Sequence, residues 1–170
     1  MAGPEELQKL LSSQLNELAG IEAELLKSLP PLCAAAANDH LRELVSTHIS
    51  ETEEHASRLK KAAQALGLQV EPAPSSALRP LLQAATAAVA GQPRSLARDL
   101  AIIAAARRIE HLEIVSYSGA CGLAKGLGPD SALQVLQKTL HEERQADRLL
   151  GETAAEIASG AIHLAPFPAD

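Results

Sequence analysis

The chain has 170 residues, 46% hydrophobic and 21% charged, with one Tyr, one Phe and no Trp, which suits a single domain with a core of Leu, Ile, Val and Ala. Its formal charge of −6 argues against a nucleic-acid partner, because phosphate binding wants a basic face. Pro, Asn or Gly breaks every charge-poor stretch short of a membrane span, and the opening Met-Ala-Gly-Pro-Glu-Glu has acids where a signal peptide is basic.

Helical periodicity runs through the chain without convincing strand alternation. Pro4 suits a first helical turn, and leucines at 11, 15, 18, 25 and 29 follow it. The stripe continues through Pro30-Pro31 to Leu32, Cys33 and Ala36, so the spacing predicts one helix over 4–36, kinked at Pro30. Asn38-Asp39 reads as turn and N-cap. A second helix is expected over 39–66, ended by Gly67. Residues 67–76 form a connection, and a short helix over 77–90 ends at Gly91. The next long helix spans 95–125, with a break at 126–129. The last runs over 130–159 and closes at Gly160. The expected domain is therefore 1–160, with an irregular tail at 161–170. Four long helices and one crossover of roughly 30 residues give the all-α, ferritin-like four-helix connectivity, with a short extra helix in the crossover. Cys33 and Cys121 lack CxxC or zinc spacing and read as small buried thiols in a reducing, cytoplasmic setting.

The apolar seams are interrupted by acids. They read Leu11, Leu15, Leu18, Glu22, Leu25, Leu29 on the first helix and Leu41, Leu44, His48, Glu51, His55, Leu59 on the second. The third long helix has Ile103, Ala106, Glu110, Glu113, Tyr117, Ala120, and the last has Leu136, Leu140, Glu143, Asp147, Leu150, Ala154. Glu22 lies about 16 residues before the Asn38 turn and Glu51 about 13 after it; Glu113 and Glu143 each lie about 15 from Gly128. At one height, six carboxylates and His55 would be too costly to bury as bare ions. A single seam acid usually snorkels or pairs with Lys or Arg, and Arg107, Arg108 and Arg144 offer an ion-pair network as the alternative. Two metal ions would balance the acids, and hard oxygen ligands with one imidazole suit iron, with manganese as the other choice. The expected ligands are Glu22, Glu51, His55, Glu113, Glu143 and Asp147, with bridging among Glu51, Glu113 and Glu143, and Glu110 as an additional or mobile ligand. His48 and Tyr117 are candidates for supporting the ligands, with core-edge packing as the plain alternative for each. His40, His111 and His141 fall off the seams. No GxGxxG, P-loop, GxSxG or HExxH is present.

Four stretches in order, Ile21-Glu22-Ala23-Glu24-Leu25-Leu26-Lys27-Ser28-Leu29-Pro30, Glu51-Thr52-Glu53-Glu54-His55, Arg108-Ile109-Glu110-His111-Leu112-Glu113-Ile114 and Glu142-Glu143-Arg144-Gln145-Ala146-Asp147, resemble the YciE/YciF group of ferritin-like bacterial stress proteins. The resemblance covers roughly residues 5–155 and implies a ferritin-like bundle, a di-iron-type carboxylate site and a homodimer. The pattern departs from ferritin and rubrerythrin, which carry Glu-x-x-His on two helices: here Glu51 and His55 are four apart, and Asp147 stands where a second His is expected. Two functions follow as expectations. One is a di-iron or di-manganese oxidoreductase, peroxidase- or ferroxidase-like, acting on O2 or peroxide under stress. The other is a non-catalytic structural or interaction protein whose metal site or acid–arginine network only holds the bundle together.

Overall fold

The computed structural model describes residues 3–91 and 93–164, the side chains of 161–164 excepted. These residues form five helices: α1 Pro4–Ala35, α2 Asp39–Ala65, α3 Leu78–Val89, α4 Leu96–Leu127 and α5 Asp130–Leu164. Pro4 occupies the first turn of α1, and the Gly3 N–H donates to the Glu6 carboxylate at 3.0 Å. The helix continues through Pro30 and Pro31. Both prolines are exposed, so water can reach the carbonyls their missing N–H groups leave open. The Asn38 side chain caps α2 by accepting from Leu41 N–H at 3.0 Å. Gly67 ends α2 in the left-handed region, φ +68. Its N–H reaches Gln64 O at 3.1 Å while Leu68 N–H reaches Ala63 O at 2.8 Å, the double bond pattern of a Schellman end.

Two helix ends lie beyond their expected positions. α4 passes Lys125 and Gly126 to Leu127, and α5 passes Ser159 and Gly160 to Leu164. Neither Gly126 nor Gly160 takes the positive φ found at Gly67 and Gly91; a glycine ends a helix through that conformation, not by its presence alone. The expected irregular tail is thus helical over 161–164, and 165–170 lie outside the described residues.

α1 contacts α2 and α4, and α5 contacts α2 and α4. Asp99, fully buried near the start of α4, accepts from Ala37 N–H at 2.8 Å and Asn38 N–H at 2.7 Å. It ties that end of α4 to the α1–α2 turn. Gly128 at the α4–α5 turn meets Leu66 at the far end of α2. α2 and α4 therefore run parallel, and the crossover 66–95 returns the chain along the bundle. It is held to α1 by Ala73 N–H on Asn16 O at 2.9 Å, Glu71 N–H on the Asn16 side chain at 2.9 Å and Ser75 on Glu17 at 2.7 Å.

The core is divided. One apolar half holds Leu11, Leu15, Leu18, Leu59, Ala120 and Leu136. The other holds Leu25, Leu29, Leu41, Ile102, Ile103 and Leu150. Between them the four long helices turn polar side chains inward.

Candidate metal centre

α1 contributes Glu22, α2 His48 and His55, α4 Glu110 and Glu113, and α5 Glu143 to this layer. All six are buried; Glu22, His55, Glu113 and Glu143 have no exposure at all. They form two groups of converging ligand atoms, each within 4.8 Å of one another: Glu22, His55 and Glu143 in one, His48, Glu110, Glu113 and Glu143 in the other. Glu143 joins both. Its Oε1 lies 2.8 Å from His55 Nδ1, and its Oε2 lies 4.0 Å from His48 Nε2. His48 Nε2 is 3.4 Å from Glu110 Oε1, and His55 Nδ1 is 3.8 Å from Glu22 Oε1. The Tyr117 hydroxyl, fully buried, donates to Glu22 Oε1.

Two expected ligands, Glu51 and Asp147, are not brought into these groups. Among the buried positions of α2, Leu41, Val45, His48, Thr52, His55, Leu59 and Ala62 form a seam of alternating four and three that keeps both histidines inside. Thr52 takes the inner place between them and donates to His48 O at 2.8 Å. Glu51 falls one position to the side, with 38% of its side chain exposed and Oε2 at 3.6 Å from His48 Nδ1. Asp147 turns away toward cations: Arg107 Nε at 2.7 Å, Arg107 Nη2 at 3.3 Å and His111 Nε2 at 3.2 Å. His48, expected only as support, instead converges with three carboxylates. The six carboxylates and one histidine expected at one level are, in the structure, four carboxylates and two histidines.

Each histidine also meets a carboxylate on its outer side. His55 Nε2 lies 3.0 Å from Glu142 Oε2, and Arg58 holds Glu142 through both guanidinium ends while reaching Thr139 at 3.4 Å. A proton on Nε2 pointed at Glu142 leaves the Nδ1 lone pair facing Glu22 and Glu143, the tautomer a metal needs. Glu51 lies on the corresponding side of His48, but at 3.6 Å from Nδ1 it makes no hydrogen bond. Glu142 and Arg58 were not singled out from the sequence; the available signal was an arginine on the inner side of α2, three residues after His55.

Burial dominates the electrostatics. It pushes the Glu110 carboxyl up to about 8, with Glu143 adding to the rise and His48 opposing it. Glu113 is driven well above its ordinary range by burial and by Glu143, Glu22 and Glu110. Glu22 is raised by burial against the opposing pull of His55. Burial alone would lower the histidines, but Glu110, Glu51 and Glu143 hold His48 at about 9. Glu143 and Glu22 likewise hold His55 at about 10. Tyr117 is pushed far up by burial and by Glu22.

These residues fit a metal centre. Six carboxylate oxygens, one each from Glu22 and Glu110 and both from Glu113 and Glu143, are buried without a hydrogen-bond partner. His55 Nδ1 is unpartnered too: at 2.8 Å from Glu143 it lacks hydrogen-bond alignment. Buried lone pairs of this kind are costly unless a cation or proton meets them. The nearby arginines go elsewhere, Arg58 to Glu142 and Arg107 to Asp147, while Arg108 and Arg144 are exposed.

A four-helix bundle with one long crossover and an inward cluster of glutamates and histidines is a ferritin-like protein with a candidate metal site. The chain belongs to the family described as Domain of unknown function (DUF892), whose match covers residues 6–162. Protein YciF of Escherichia coli strain K12 is 30% identical over 141 residues, 82% of this chain and 85% of that protein. The crystal structure of the E. coli stress protein YciF superposes with a TM-score of 0.86 at 27% identity, covering 90% of this chain and 97% of that one. YcfI from Rhodopseudomonas palustris gives 0.81 at 28% identity, over 85% and 92% of the two chains. A dodecameric thioferritin from Bacteroides fragilis shares the fold at 15% identity and a TM-score of 0.70, over 96% and 98%. Among the described residues no helix is long and apolar enough to cross a membrane.

Proposed function

We propose that the cluster holds two metal ions, iron or manganese, with Glu143 shared between them. Glu22 and His55 would complete one side and His48, Glu110 and Glu113 the other. The observation that carries this reading is the convergence of buried, unpartnered carboxylate oxygens from three helices. The charge fits as well, since two divalent ions balance four carboxylates. Oxygen ligands with two imidazoles suit iron and manganese better than a thiolate-seeking metal.

When bound, such a pair supplies two-electron redox chemistry toward O2 or peroxide. The chain's own part is to orient ligands through Glu142 and Tyr117, to exclude water with the two apolar halves, and to give up the protons that the raised carboxyls and imidazoles hold. Function under stress in the cytoplasm, as a homodimer, completes the proposal; E. coli YciF is described as a stress protein. Elemental analysis of untreated protein, followed by anaerobic Fe(II) titration and exposure to peroxide, tests it. Two metals per chain and oxidant consumption are expected, with loss of binding in Glu113→Gln and Glu143→Gln. Unchanged stoichiometry in both variants would sink the ligand assignment.

A second reading is supported by the layer's position between two apolar halves: neutralising it stabilises the bundle whether or not an oxidant is turned over. Tight metal binding that raises the melting temperature without any oxidant consumption would favour this structural role.

A further inference from the structure

The two sides of the cluster are enclosed differently. The Glu22–His55 side is sealed: both residues have no exposure, Tyr117 covers Glu22, and Glu142 with Arg58 closes off His55. The His48 side instead borders a cavity of about 100 Å³ between α2 and α5. His48 and Glu110 stand at its inner end, Glu51 and Glu142 along its sides, and its aliphatic walls include Leu29, Val45, Ala106, Ala146 and Leu150. Thr47 and Gln145, both exposed, stand at its rim.

We propose that this cavity is the binding and entry site for a small uncharged molecule of two to four atoms, of the dioxygen or peroxide type. It would deliver that molecule to the His48–Glu110 side alone. The accessible space of about 100 Å³ suits a molecule of a few atoms. Glu51 and Glu142 in the lining repel an anion, and the aliphatic walls cost a hydrated cation part of its shell, whereas dioxygen loses little on entry. The buried imidazole and carboxyl at the inner end, His48 and Glu110, are the groups an entering molecule meets last. The chemistry served by the cavity rests on the metal-centre reading; the cavity itself does not.

Two measurements separate these claims. In metal-free protein under xenon pressure, the methyl resonances of Leu44, Val45, Leu149 and Leu150, which line the cavity, should shift, while those of Leu11 and Leu15 in the other core half stay fixed. Ala146→Leu should abolish the response by filling the space. In Fe(II)-loaded protein, the same variant should keep full metal stoichiometry yet react with nitric oxide about tenfold more slowly, since entry then requires the walls to move. Absence of a xenon response in the wild type overturns the proposal, even if the variant does not fold. An unchanged nitric oxide rate in metal-loaded Ala146→Leu overturns it as well. If the protein takes up no iron, the metal-centre reading fails, and the xenon response alone decides whether the cavity admits neutral molecules.

Discussion

His55 sits between carboxylates with opposite demands: Glu143 and Glu22 face its Nδ1, and Glu142 faces its Nε2. An imidazolium would satisfy both sides, but a metal ligand must give up one proton, and the structure determines which. Glu142 is held below its ordinary pKa by Arg58 and His55, which outweigh the effect of burial; it therefore stays anionic and keeps the proton on Nε2. Glu142→Gln retains the shape but removes the charge, and should weaken metal binding by about 10- to 100-fold, with stoichiometry unchanged. Anaerobic Co(II) titration reads both quantities. An affinity within twofold of wild type would mean that Glu142 does not orient His55.

At the scale of elements, the crossover is seated through Gly20. A Cβ built there would come within 1.8 Å of Ala73 O, a backbone atom, so Gly20→Ala has to displace the strap that Asn16 holds. The expected loss is about 1–3 kcal/mol. Gly122, exposed in α4 with open space around it, supplies the contrast: Gly122→Ala should stabilise by up to about 1 kcal/mol through helix propensity. Urea unfolding of the pair checks the sign of each, and a stabilising Gly20→Ala would show that the strap is loosely held. The order of the helices, the cap at Asn38 and the long crossover were legible in the sequence because they depend on local chemistry and hydrophobic period. The register of α2 was less so. Leu44-Val45 and Glu51-Thr52 are adjacent pairs, and the seam through His48 and His55 can pass through either member. Contact with the other helices selects Val45 and Thr52, which turns Glu51 to the rim. Asp147 escaped for a related reason: its position on α5 suited the seam, but Arg107 on α4 draws its carboxylate outward, a partner that no pattern within α5 reveals.

For the whole molecule, the polar layer couples folding to protons and to metal. Glu110 at about 8, His48 at about 9 and His55 at about 10 all lie above their ordinary values of 4.5 and 6.5, and Glu22 and Glu113 are raised too. A raised native pKa means that the folded state binds protons the unfolded chain releases. The associated stability is fully present below the unfolded value and is lost as pH climbs through the folded one. Without metal, stability should therefore be greatest in mildly acidic solution and fall from about pH 5 to about pH 10. The acid side is bounded by groups of the other sign. Arg107 holds Asp147 below its usual range, and Arg58 and His55 hold Glu142 there, so their contributions disappear as pH falls through the carboxylate range. Metal reverses the alkaline trend because it replaces the protons: binding should tighten as pH rises and release protons into weakly buffered solution. Urea unfolding at pH 5.5, 7 and 9, with chelator and with added Mn(II), measures both curves. They should diverge as pH rises, the chelated protein weakening while the metal-loaded protein does not. Parallel curves would mean that the metal does not bind where these protons are held.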